Sequence, residues 1–133
     1  MHKLRWALPA FGVWMAVITV SCLIRFPELG TPGISIPHAD KVVHFGIYAL
    51  AGVLGILAVR ERLAPAWRLN PALVRVFLAL FAFGAGIELL QALLPTGRSA
   101  EWADALANGC GLLVSLASMK GVFHEVKALN WPE

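Results

Sequence analysis

The chain has 133 residues, 59% of them hydrophobic and 14% charged, with a formal net charge of +3. A soluble domain carries about a quarter of its residues charged, so this composition excludes an ordinary soluble globule, whose surface it could not cover. The basic residues are dispersed along the chain, which also argues against nucleic acid as a partner.

The apolar residues form four runs, at about 6–24, 42–59, 72–94 and 103–123. At 1.5 Å per residue each matches the ~30 Å core of a bilayer. The length suits one domain, 1–133, of the all-α class: a four-helix transmembrane bundle. The first run follows His2, Lys3 and Arg5. It is longer than the apolar part of a signal peptide and has no clean small-x-small cleavage site, so it reads as a first span. Residues 25–41 form a loop broken by Pro27, Gly30, Pro32, Gly33 and Pro37.

Asp40 stands where a helix N-cap is expected, and Asp40, His44 and Tyr48 recur every four residues along one face of the second run. Ala51 and Gly55 extend that face as a small-xxx-small pair suited to close helix approach. Asn70-Pro71 reads as an N-cap followed by proline at the first position of the third helix. Within that helix, Gly84, Glu88 and Gln91 share a face. A tight loop with Arg98 and Ser99 follows, and Ser99 is the expected N-cap of the last helix. That helix carries a polar and small-residue stripe of Asp104, Asn108, Gly111, Ser115 and Ser118. Cys22 and Cys110 fit no metal or redox spacing and read as small buried hydrophobes.

Of the eleven Lys and Arg, eight fall at the N-terminus, in the Arg60–Arg75 region or in the tail; three, Arg25, Lys41 and Arg98, fall on the opposite side. The positive-inside rule then puts both termini in the cytoplasm and the Asp40 and Arg98 loops outside. Counting turns from the helix ends places Asp40, Lys41, His44, Glu88, Gln91, Arg98, Ser99, Asp104 and Asn108 together at the outer end. Each has a plain structural role to hand: caps for Asp40 and Asp104, interhelical bonding for Asn108, packing for His44. Their convergence in so apolar a chain is what points to a site, because ionisable groups inside a membrane are costly and turn inward to pair. Glu88 is the deepest acid and has no neutralising neighbour on its own helix.

Asp40-Lys41-x-x-His44-Phe45-x-x-Tyr48, Glu88-x-x-Gln91, Pro95-x-x-Arg98 and Asp104-x-x-x-Asn108-x-x-Gly111 together resemble the VanZ-like family. The match covers about residues 40–116, and the order and spacing of the four pieces agree. The resemblance implies a small multi-pass protein of the bacterial cytoplasmic membrane. Its namesake lowers susceptibility to teicoplanin, although most members lie outside resistance clusters. The shared polar residues of that family map onto Asp40, Lys41, His44, Tyr48, Glu88, Gln91, Arg98, Asp104 and Asn108.

The residues leave binding and catalysis both open, since no P-loop, nucleophile motif or phosphatase signature is present. One reading is a site for a lipid-linked envelope component among membrane lipids. His44, Glu88 and Asp104 would be its acid–base candidates. Asp40, Lys41, Tyr48, Gln91, Arg98, Ser99 and Asn108 would bind, with Arg98 and Lys41 on phosphate. No cofactor is required. A carboxylate-rich metal site of Asp40, His44, Glu88 and Asp104 is the alternative, suited to Mg²⁺, Mn²⁺ or Ca²⁺ better than zinc. A scaffold or transporter whose polar cluster is structural is the non-enzymatic alternative.

Overall fold

The computed structural model describes residues 5–23, 38–64, 66–95 and 100–132. These are all-helical: α1 (Ala7–Leu23), α2 (Ala39–Leu63), α3 (Leu69–Leu93) and α4 (Trp102–Glu125), then a single 3₁₀ turn, Lys127–Leu129. The described residues contain no strand. Helices α2, α3 and α4, at 25, 25 and 24 residues, are long and apolar enough to cross a membrane; α1 is apolar but shorter, at 17 residues.

Cross-helix bonds fix an up-and-down arrangement. The Ala7 N–H donates to Glu61 Oε2 at 3.0 Å, so α1 begins beside the end of α2. Gln91 Nε2 donates to Cys22 O at 2.6 Å, which ties the end of α1 to the end of α3. Lys41 at the head of α2 meets Asp104 at the head of α4. At the opposite end Trp131 Nε1 donates to Trp67 O at 2.8 Å, and Arg60 donates to the carbonyls of Ala128 and Asn130. Trp131 also packs edge-on against Phe123, closing the tail over that end.

Burial is inverted relative to a soluble protein. Val42, Leu93 and Trp102 are exposed at 71%, 71% and 78%, while His44, Glu88, Gln91, Asp104 and Asn108 are buried. Apolar side chains facing outward and charges facing inward are what lipid surroundings favour. Close approach of α2 and α4 rests on glycine. A Cβ on Gly111 would collide with the Phe45 carbonyl oxygen, and one on Gly52 with Ser115 Oγ. Gly55, expected on the same face as Ala51, instead lies against Phe11, Val76 and Leu80, on the side shared with α1 and α3.

The helix ends depart from the sequence expectations. His38, at φ 61°, is the N-cap of α2, and Asp40 lies in the first turn. Helix α2 runs on to Leu63 because Arg60 and Arg62 suit the negative end of the helix dipole. Helix α3 begins at Leu69 after an Arg68 N-cap, so Asn70 and Pro71 are wound into its first turn. Proline is tolerated there because the first N–H groups of a helix have no intrahelical partner. The N-cap of α4 is Glu101, not Ser99. Ser118 is exposed and returns its hydroxyl to Val114 O; Met119 takes the buried position instead, four residues after Ser115. Cys22 is buried as expected, but Cys110 is exposed, on the outward face of α4.

Candidate functional site

The heads of α2 and α4 and the last turns of α3 meet at one end of the bundle. The four-residue spacing of Asp40, His44 and Tyr48 turns them along one face of α2, with His44 and Tyr48 buried and Asp40 at the rim. Asp104 and Asn108, four apart on α4, are both buried opposite them. Glu88 and Gln91 close the third side from α3.

Lys41 Nζ is bound by three carboxylates: Asp40, Glu101, and Asp104 Oδ1 at 2.8 Å. The far oxygen of Asp104, Oδ2, faces His44 Nε2 at 3.5 Å. His44 Nδ1 lies 2.9 Å from Asn108 Oδ1. A carbonyl oxygen only accepts, so Nδ1 carries the hydrogen and Nε2 is the ring atom presented to Asp104. The result is an Asn–His–Asp chain with the form of a relay, in which Asn108 fixes the ring and Asp104 faces its other nitrogen. Glu88 Oε2 accepts the Glu101 backbone N–H at 3.3 Å, which joins α3 to the head of α4. Ligand atoms of His44, Glu88 and Asp104 all lie within 4.8 Å of one another, and all three residues are buried. Asp40, Glu101 and Asp104 form a second, more exposed group of the same kind.

Below the relay, Gly84 provides the space. A side chain there would press on Asn108 Nδ2, Tyr48 Cε1 and the Tyr48 hydroxyl, each 3.1 Å from the position its Cβ would take. Tyr48 is 1% exposed, and its hydroxyl has no hydrogen-bond partner among the described residues. A cavity of about 320 Å³ between α1 and α2 reaches the relay from the side. Val17, Ile18, Val43 and Ile47 give it apolar walls, and Asp40 and His44 form its polar end.

The structure therefore brings together Asp40, Lys41, His44, Tyr48, Glu88, Asp104 and Asn108. Gln91 is turned toward α1, where it holds the Cys22 carbonyl, rather than toward the relay. Arg98 and Ser99 lie outside the described residues. Sequence reasoning missed Glu101, which binds Lys41 through its side chain and Glu88 through its backbone. Its position three residues before Asp104, at the mouth of a helix, was the available signal. The Cys22 carbonyl left no signal, being backbone. No protein-family model, curated protein or solved structure matches this chain.

Proposed function

We propose that this chain is a multi-pass membrane protein of the VanZ-like family. Its two termini lie in the cytoplasm of a bacterium, and its polar site opens at the outer leaflet, where it binds or processes the headgroup of a lipid-linked envelope component. The observation that carries the reading is the cavity between α1 and α2, apolar along its walls and ending on Asp40 and His44. That shape suits an acyl chain entering from the bilayer with its headgroup on the relay. The distribution of charge supports the orientation: Arg60, Arg62, Arg68, Arg75, Lys120 and Lys127 lie at the end away from the site.

The described rim is acidic, and Lys41 is already engaged by carboxylates. Asp40 and Glu101 are therefore suited to accept hydrogen bonds from headgroup hydroxyls, and Arg98, outside the described residues, is the phosphate-binding candidate that the sequence offers. His44, oriented by Asn108 and faced by Asp104, is the group placed to move a proton. A change in glycopeptide susceptibility follows if the bound component is the one such antibiotics recognise.

Mass spectrometry of lipids co-purifying with the protein tests this. Wild type should retain a headgroup-bearing species that His44→Gln and Arg98→Ala lose while their thermal unfolding stays close to wild type. If both variants keep the wild-type lipid profile, the reading fails. If both lose stability in step with lipid, the polar cluster is structural.

A further inference from the structure

We propose that the cavity among α1, α2 and α3, at the end of the bundle away from the polar cluster, holds one acyl chain of an anionic phospholipid whose phosphate is bound by Arg75. The inference rests on the helices lying in a bilayer, for which α2, α3 and α4 are long and apolar enough, and on nothing proposed for the other end.

The cavity is graded as a lipid is. It encloses about 340 Å³, with apolar walls from Phe11 of α1, Gly55 and Val59 of α2, and Val76, Ala79 and Leu80 of α3. Apolar cavities of about 150 Å³ already stay dry and admit a small hydrocarbon guest. The charged member of the lining, Arg75, stands toward the helix termini. Helix α2 passes Gly55 and then Val59 on its way to Leu63, while α3 passes Arg75 six residues after Leu69 and only then reaches Ala79 and Leu80. At 1.5 Å per residue Arg75 is about 9 Å from the start of α3, a depth from which a long cationic side chain reaches the interface. Arg75 and Ala79 are both exposed, so the cavity opens on the outer surface of the bundle beside them.

Arg75 also lacks a counter-charge. Its guanidinium carbon lies 4.3 Å from the centroid of the Trp67 ring. An aromatic face steadies a cation without neutralising it, and the guanidinium has five N–H donors to satisfy. Among the described residues no carboxylate forms an ion pair with Arg75, Arg68 or Lys120. A phosphate supplies both the charge and the paired oxygen acceptors that suit the guanidinium fork.

The surrounding charge selects among phospholipids. Trp67 lines a second hollow as well, of about 690 Å³, together with Arg68, Lys120 and His124. This surplus of positive charge beside the Arg75 site favours a headgroup of net negative charge over a zwitterionic one.

The test is native mass spectrometry of the full chain in detergent, titrated with phosphatidylglycerol or with phosphatidylcholine of the same acyl chains. Wild type should bind one phosphatidylglycerol at least about tenfold more tightly than phosphatidylcholine. Arg75→Gln should remove that preference. Arg62→Gln, which takes a charge from the same end outside the cavity lining, should weaken binding no more than about threefold. Ala79→Phe, filling the mouth, should weaken both lipids, whereas Leu78→Phe on the neighbouring exposed position should weaken neither. Should Arg75→Gln fail to fold, wild type is photo-crosslinked with phosphatidylglycerol carrying a diazirine in its acyl chain: adducts on Phe11, Val76 or Leu80 support the site, and adducts confined to exposed residues such as Leu78 overturn it. Equal binding of the two lipids, equal losses in Arg75→Gln and Arg62→Gln, or equal losses in Ala79→Phe and Leu78→Phe would each mean annular lipid only and overturn the proposal.

Discussion

Gly111→Ala strikes the frame that holds the site. The added methyl would point at the Phe45 carbonyl oxygen, with Ala49 N and Phe45 C each 3.1 Å from the new carbon. All three are backbone atoms of α2, so no rotamer change can make room. A methyl carbon rests about 3.3 Å or more from a carbonyl oxygen, so α2 and α4 must part by about 1 Å. Overpacking of a closed core costs ~1–3 kcal/mol. Replacing glycine with alanine in a helix returns roughly 0.5–1 kcal/mol. The net expectation is a loss of roughly 1 kcal/mol, and at most about 2.5 kcal/mol.

Gly46→Ala is the control. It lies on α2 next to Phe45, but it is exposed and nothing stands within 4 Å of its added carbon. There only the propensity gain remains, so that variant should be as stable as wild type or more so. Unfolding in mixed detergent and SDS micelles, followed by circular dichroism, reads both. A Gly111→Ala protein as stable as the Gly46→Ala protein would refute the close α2–α4 contact.

Gly52→Ala should also destabilise, but through a side chain: its methyl meets Ser115 Oγ, not backbone. Adding Ser115→Ala should recover at least about 0.5 kcal/mol in a double-mutant cycle; additivity would show that the two positions do not touch. Gln91→Leu removes the 2.6 Å bond to Cys22 O and leaves a buried carbonyl behind. It should cost about 1–3 kcal/mol and, in a Cys110→Ser background, speed maleimide labelling of buried Cys22. Unchanged labelling would mean that Gln91 does not hold the end of α1.

Much of this arrangement was legible in the sequence. Apolar runs located every helix, and the four-residue spacings of Asp40/His44/Tyr48 and Asp104/Asn108 turned their polar groups onto shared faces; all but the rim residue Asp40 are buried. Periodicity reports which face a residue occupies, and that suffices when a face has one neighbour. It does not report which neighbour. Gly55, read from sequence as continuing the face of Ala51, meets Phe11 and Val76, while Gly52, which drew no reading, is the glycine that meets Ser115 on α4. Helix ends were the least legible. Arg60, Arg62, Asn70 and Pro71 look like loop chemistry, yet all are compatible with a helix terminus, and α2 and α3 absorb them. The destination of Lys41 was hidden for another reason. Its long flexible stem reaches Glu101, sixty residues away, and nothing local specifies that partner.

The central claim is that the polar end of the bundle faces out of the cell. In a background with Cys22→Ser and Cys110→Ser, a single cysteine is placed by Trp102→Cys at the site end, where the native residue is 78% exposed. A second is placed by Arg62→Cys at the opposite end, in the last turn of α2. A membrane-impermeant thiol reagent is then applied to intact cells. The account predicts labelling at position 102 without lysis, and at position 62 after lysis only. Labelling of position 62 in intact cells, with position 102 protected, would contradict it.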